Sequence, residues 1–498
     1  MSHPKTLLKL LWILAPVLCL AVAIVRTLHW PLVNDTAIIH YACFLTGHGW
    51  VPYRDIQDVN LPGAYLVDCT AMHIFGAGAM GWRLYDLCVL LSITAGMAVL
   101  ARLAVQCAAG GLWGGLLFSL YHLHDGMAQG GQRDLSMTAL LLWAAVCVAY
   151  PAGRYPVWRL IGGGAMAATA CMIKPTAALF LVVFLYLLLR DRTASRSKTA
   201  GNVAWFVLGM VLPVAWVGFR LYVQGAIPAL IKTVTVLLPY HASLGRLGWS
   251  ALIARSTSSS IRALVIFSLA AAYLRGRCRS GDRPILVMLV LAGFASYLLQ
   301  GKGFPDHRYP FLAFLFLWIG TELMSALSGS RRARVVAMIG FAFGSLAAAP
   351  LYARAAMRAH WNGSLESALT ADLRHLSGSQ LAGNVQCIDS ISGCTTVLNR
   401  LRLVQSTGVL YDEFLFGPHM PLEVSQLRDG FGARLAAMPP RVIVVTKGLF
   451  PEGPDGYAKL ERWPWFADFL KAQYSLQTER DFGTGSTGPL GYRIYLHH

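Results

Sequence analysis

The feature that most constrains this chain is a series of nearly uncharged apolar runs, each near the length a helix needs to cross a bilayer. They fall at about 7–25, 82–105, 110–123, 135–150, 160–173, 177–189, 203–222, 261–274, 285–299, 309–327 and 335–351. Backbone polar groups in a hydrocarbon core must be satisfied within the segment, so runs of this kind fold as helices. The expectation is a polytopic α-helical membrane protein with about 11 transmembrane helices. Composition agrees: 56% of the 498 residues are hydrophobic and only 13% are charged, which a soluble domain does not show. The formal net charge of +18 would point to nucleic acid in a soluble protein. Here the basic residues fall mainly in short loops between apolar runs, and no basic motif is interleaved with aromatics, so no nucleic-acid partner is expected.

Loop charge gives an orientation. Lys5 and Lys9 lie at the start of the first run, which is read as an uncleaved span with a cytoplasmic N-terminus. The inside loops then hold Arg154 and Arg159; Arg190, Arg192, Arg196 and Lys198; Arg275, Arg277, Arg279 and Arg283; and Arg331, Arg332 and Arg334. That is the positive-inside pattern. The outside segments carry the less ordinary polar residues: Asp35, Asp58, Arg133, Asp134, Lys174, Lys302, Asp306, His307 and Arg308. From Arg358 onward the apolar runs shorten and Gly, Pro, Asp and Glu increase. Residues 1–351 are therefore expected to form a membrane domain and 352–498 a small α/β domain outside. Strands are expected at 385–388, 442–446 and 492–496, and helices at 365–376 and 465–474.

The first outside loop, 30–76, is the richest in motifs. Asp35 sits where the first span meets water, a costly place for a carboxylate and so a functional candidate; helix capping by the Asn-Asp-Thr sequence is the competing explanation. The breakers Gly47, Pro52-Tyr53-Arg54-Asp55 and Asn60-Leu61-Pro62-Gly63 leave room for two helices, about 36–45 and 64–74, expected to lie in the membrane interface. Asp55 and Asp58, in the turn between them, read as solvated loop residues. Arg133-Asp134 precedes the fourth run, with a helix cap and a snorkelling arginine as its plain alternative, and Lys174-Pro175 follows the fifth, with interfacial anchoring as its own. In Gly301-Lys302-Gly303-Phe304-Pro305-Asp306-His307-Arg308, three potential cations crowd one span entrance, more than topology requires. Cys387 and Cys394 share a loop of the outside domain, with a spacing that permits a disulfide and a compartment that favours one; two free thiols are the alternative. No cysteine set has metal-ligand spacing.

Taken in order, these motifs resemble the GT-C type membrane glycosyltransferases, in particular the protein O-mannosyltransferase and lipid A aminoarabinose transferase group with its rhizobial galacturonosyltransferase-like members. The resemblance covers residues 7–351 and rests on Asp35, Pro52-Tyr53-Arg54-Asp55, Leu61-Pro62-Gly63-Ala64-Tyr65, Arg133-Asp134, Ile173-Lys174-Pro175, and Gly301-Lys302-Gly303 with His307 and Pro310. It implies transfer of a hexose or pentose from a polyprenyl-phosphate donor to a hydroxyl of a glycan, lipid or protein, with inversion. The site would face the periplasm from a bacterial inner membrane, in cell-envelope glycan or lipopolysaccharide modification or in protein glycosylation. Asp35 matches the carboxylate that activates the acceptor and Asp134 the second acidic position. Lys174 and Lys302 match basic positions near the donor phosphate, with Arg133, His307, Arg308, Tyr53, Arg54 and Asp58 as further substrate contacts. The chain departs from the family pattern at Thr36, where many members have a second acid, and at Leu61, where many have a basic residue. No cofactor is implied, and a divalent cation stays open.

The chemistry stands without the family. A glycosyl phosphate already carries a good leaving group, so it needs a base for the incoming hydroxyl and cations for the departing phosphate. The alternative reading is a transporter or flippase of lipid-linked sugars. That function would place its charges near the midplane, on broken helices of repeated halves.

Overall fold

The computed structural model describes residues 4–149, 156–190, 195–276, 283–376, 378–451, 456–485 and 488–498. Arg154, Arg192, Arg277 and Arg279 of the predicted inside loops lie outside the described residues. The chain forms two compact units: Met1–Pro31, Leu61–Val217 and Leu247–Ala359 in the first, and Leu32–Asn60, Gly218–Arg246 and His360–His498 in the second.

The first unit is a helix bundle. Each of the eleven apolar runs falls on helix, to within a residue or two at the ends. Five of these helices are long and apolar enough to cross a membrane, and a sixth span is made if Trp249–Ser256 and Ser259–Arg275, bent by 75°, are counted as one. Three shorter apolar helices, Trp12–Thr27, Val157–Ile173 and Pro175–Leu189, accompany them among the described residues. Burial separates centre from edge. The most apolar window of Asp306–Ala326 is 89% buried and that of Arg196–Val223 only 22%, so the former is the central helix. Small residues let the central helix meet Ala108–His124 closely: a Cβ on Gly110 or Gly320 would strike the other's carbonyl. The helix Arg331–Arg358 contains a wide turn at Phe343–Ala348, where Gly344 makes room for the Trp113 ring and Ser345 accepts the indole N–H at 3.0 Å.

The second unit carries a four-stranded sheet in the order β1-β2-β4-β3. The strands are β1 (Val385–Ile388), β2 (Val442–Thr446), β3 (Tyr474–Gly485) and β4 (Gly488–His497). The first two pair in parallel and are buried throughout, which is why they read as continuous apolar runs. The edge strand β3 pairs antiparallel with β4 and is largely exposed and polar. Its alternation is broken by register shifts, so it carries no local strand pattern, and Tyr474, expected to end the helix from 465, is instead its first residue. Phe416, Phe431, Trp463 and Phe466 pack with Ile388 and Ile443 as the core.

Two segments far from the C-terminus belong to this second unit. The helix Asn34–Gly47 is tied to it by Tyr41, whose hydroxyl donates to the Leu403 carbonyl at 3.0 Å and accepts from the Gln405 N–H at 2.8 Å. Gln57 bridges to Val409, and the Tyr240 hydroxyl donates to the Pro418 carbonyl at 2.9 Å. The long uninterrupted part of the unit begins at His360, beside the composition change at Arg358. Nothing in the composition of 32–60 or 218–246 marks them as its partners, because the bonds that recruit them join residues 178 to 364 positions apart.

Candidate functional site

In the first unit the motifs converge on a cluster of buried charges at one end of the bundle. Pro175 stops the helix Val157–Ile173 and forces the preceding Lys174 into an extended conformation (φ −145°, ψ 130°). From there its ammonium reaches Asp134 at 2.7 Å and donates to Gln300 Oε1 at 2.8 Å. Asp134 lies in the first turn of Arg133–Val148 and is fully buried. The two residues expected in separate roles, acid and phosphate ligand, are thus one ion pair. Gly63 positions a neighbouring element: a Cβ there would collide with Met172 and Ile173, so glycine lets the helix Pro62–Phe75 close onto the chain just before Lys174.

Beneath Asp134 lies a network that the sequence reading missed. Arg83 and Asp86, one helical turn apart on Ala79–Val105, form a buried ion pair. Asp86 also meets His122 Nε2 at 3.1 Å and accepts the Gly131 N–H at 2.7 Å. Arg83 donates to the Thr27 hydroxyl at 2.7 Å and stacks 4.8 Å from the Trp30 ring centre. Gly131 has φ +68°, and a Cβ on it would enter the Trp82 indole. Asp86 therefore clamps the turn from which Arg133 and Asp134 emerge. A signal was present: two charges three residues apart inside an apolar run.

Arg308 donates to Asp125 and to the Arg255 carbonyl, both at 3.0 Å, and lies 5.6 Å over the Tyr121 ring. His307 is buried 3.7 Å from Asp306. Lys302 is buried in a turn whose flanking glycines, Gly301 and Gly303, take φ +73° and +68°. Asp125 was not anticipated, yet it neutralises Arg308 as Asp134 neutralises Lys174.

Asp68, on Pro62–Phe75, is buried with one carboxyl oxygen unpartnered. Burial pushes its carboxyl up to about 8, against the pull of the Arg133 charge. An acid whose pKa rises on folding stabilises the native state most at low pH, and that stability is lost as pH rises toward 8. Thermal melting should therefore fall between about pH 4 and pH 8, and Asp68→Asn should flatten that slope. An unchanged slope in the variant would remove Asp68 as its source.

The second unit holds the other predicted residues. Asp35 lies in the first turn of Asn34–Gly47 and is half-buried; the N-cap is Val33, with no side-chain cap bond, so Asp35 is not the capping residue. Tyr53 has φ +69° and its buried hydroxyl donates to the Asn60 carbonyl at 2.8 Å. Arg54 is exposed, bonded twice to Asp55 and to the Gln224 carbonyl, and it holds the Asp55 carboxyl below the usual range. Asp58 is not solvated as expected. It is fully buried and accepts from the Asn60 N–H, the Asn60 amide and the Tyr411 hydroxyl at 3.0, 2.7 and 2.8 Å. Its carboxylate closes the turn on itself because the loop folds back onto residues near 411.

Cys387 and Cys394 are joined, with Cα atoms 6.0 Å apart. Inside their loop Asp389 accepts the Ser392 and Cys394 N–H groups at 2.8 and 2.7 Å and the Thr446 hydroxyl at 2.8 Å. The βα turn where an anion would bind in many α/β domains is thus filled by the protein's own carboxylate. Among the described residues no group of three or more His, Cys, Asp or Glu side chains is arranged to hold a metal ion.

No protein-family model and no curated protein sequence matches the chain. Solved structures do. ArnT from Cupriavidus metallidurans, bound to undecaprenyl phosphate, aligns with a TM-score of 0.60 over 99% of this chain and 98% of its own, at 14% identity. Its apo state gives 0.54 over 97% of each chain, at 15% identity. The oligosaccharyltransferase AglB from Archaeoglobus fulgidus, with an inhibitory peptide and a dolichol-phosphate, gives 0.52 over 96% of this chain and 74% of its own, at 10% identity. ArnT and AglB are GT-C glycosyltransferases, so the fold is the GT-C fold that the motifs implied.

Proposed function

We propose that this chain is a membrane glycosyltransferase that moves a hexose or pentose from a polyprenyl-phosphate donor to an acceptor hydroxyl, with inversion. The observation that carries this reading is the GT-C fold shared along 99% of the chain with a protein solved on undecaprenyl phosphate. The acceptor is a glycan, lipid or protein of the cell envelope, and the site faces the periplasm from a bacterial inner membrane, consistent with the basic loops on the other side. Residues 1–351 supply the membrane catalytic domain and 352–498 the domain outside. Asp35 is the general base. Lys302, with His307 and Arg133, attracts the donor phosphate, and Lys174 does so as one member of its pair with Asp134. Arg308 acts with Asp125 in the same way. Tyr53, Arg54 and Asp58 shape the substrate-facing turn.

The direct test is release of polyprenyl phosphate from a radiolabelled lipid-linked sugar by the purified protein. Movement of intact donor across a vesicle without release would instead support a flippase.

A charge-assisted contact to phosphate is worth roughly 1.5–3 kcal/mol, so Lys302→Ala should weaken donor use about ten- to a hundred-fold. Lys174→Ala should do the same and in addition leave Asp134 buried and unpaired. Adding Asp134→Asn to Lys174→Ala should then recover stability without recovering donor use. Unchanged donor dependence in both lysine variants would remove them from phosphate binding.

A further inference from the structure

The central helix Tyr309–Ala326 carries a second charged cluster near its other end, at Glu322. Thirteen residues at 1.5 Å each separate Glu322 from Tyr309, roughly 20 Å along the helix. Arg283 donates to both Glu322 oxygens at 2.7 and 2.8 Å, and Arg275 lies 3.0 Å from one of them. Two guanidinium groups therefore share a single carboxylate. The Arg275 side chain is only 6% exposed, yet its Nε and Nη1 have no acceptor, and neither has Arg283 Nε. Buried guanidinium N–H groups without acceptors are costly, and an excess positive charge beside apolar helices is costlier still.

We infer that Arg275 and Arg283 form a binding site for a phosphate group, one anion completing what Glu322 leaves unbalanced. A guanidinium fork suits phosphate oxygens, which can take two parallel N–H bonds. The cluster is seated by its surroundings. Gly329 packs beside the Arg275 side chain, and Ser330 caps the next helix while donating to the Leu274 carbonyl at 3.1 Å. Arg283 is the more open member, with 17% of its side chain exposed, and marks the way in. On its own helix Arg283 is followed, one and two turns on, by Val287 and Leu291, whose apolar side chains are exposed. Basic residues beside an exposed apolar face are the setting of a lipid headgroup. The source is therefore the phosphodiester of an anionic membrane lipid, with free phosphate as the other supply of the same chemistry.

The test uses full-length protein, delipidated in detergent, melted with vesicles of phosphatidylglycerol, vesicles of phosphatidylcholine, or inorganic phosphate. Stabilisation by phosphatidylglycerol alone, with at least a tenfold weaker apparent affinity in Arg275→Gln and Arg283→Gln, is the expected result. Stabilisation by inorganic phosphate with the same losses supports the site with the free ion as occupant. Glu322→Gln covers the case in which an arginine variant fails to fold. It removes the competing carboxylate and should bind the anion about tenfold more tightly. Equal response to all three additions, or arginine variants that respond like the parent, or weaker binding in Glu322→Gln, overturns the proposal.

Discussion

Asp35→Asn should leave a protein that folds, inserts and binds donor but turns over about a hundred-fold or more slowly. A hundred-fold loss corresponds to about 2.7 kcal/mol of transition-state stabilisation. The structural cost of the same change is smaller and separable. Val33, not Asp35, is the N-cap of Asn34–Gly47, so no capping bond is lost. Part of what is lost is the favourable placement of a carboxylate in the first helical turn, about 0.3–1 kcal/mol. Single-turnover transfer from a lipid-linked donor, read beside a melting curve, separates the two. Normal turnover in a well-folded Asp35→Asn protein would sink the assignment. The role would not pass easily to Asp134 or Asp58, because the first is committed to Lys174 and the second to three hydrogen bonds in its own loop.

The second large effect is expected at Asp86. Asp86→Ala leaves Arg83 buried without its carboxylate and frees the Gly131 N–H, and breaking a buried pair in this way costs about 3–5 kcal/mol. The double change Arg83→Met with Asp86→Leu removes both charges and replaces them with apolar groups of similar size. It should regain most of the lost stability. It cannot restore the acceptor for Gly131, so the turn that carries Arg133 and Asp134 stays unclamped and transfer stays slow. A single variant that melts like the parent, or a double variant with full activity, would show that the network neither stabilises nor positions.

The C-terminal strands show how local information works and where it ends. β1 and β2 were legible because both faces are buried and the sequence is uniformly apolar. β3 was not, because its residues, Tyr474 apart, are polar or exposed, and its identity is decided by pairing with β4. The same contrast holds in the site. Asp134, Lys174 and Lys302 announced themselves at the ends of apolar runs. Asp86 and His122 lie within such runs, and Asp125 lies just past the end of one, each paired with a residue distant in sequence.

The ordered motifs pointed by resemblance to the GT-C fold that the chain shares; the hydropathy pattern by itself determined that the chain is helical, where its apolar helices lie, and that unusual charges stand at their ends. Those properties follow from hydropathy and from the cost of charge in hydrocarbon, both of which are local. Tertiary structure alone decided which distant charges pair: Asp134 with Lys174, Asp125 with Arg308, Asp86 with His122. It also decided that 32–60 and 218–246 belong with the C-terminal unit. Pairing and recruitment depend on side chains brought within about 3 Å from positions far apart in the chain, a distance that periodicity and composition do not encode.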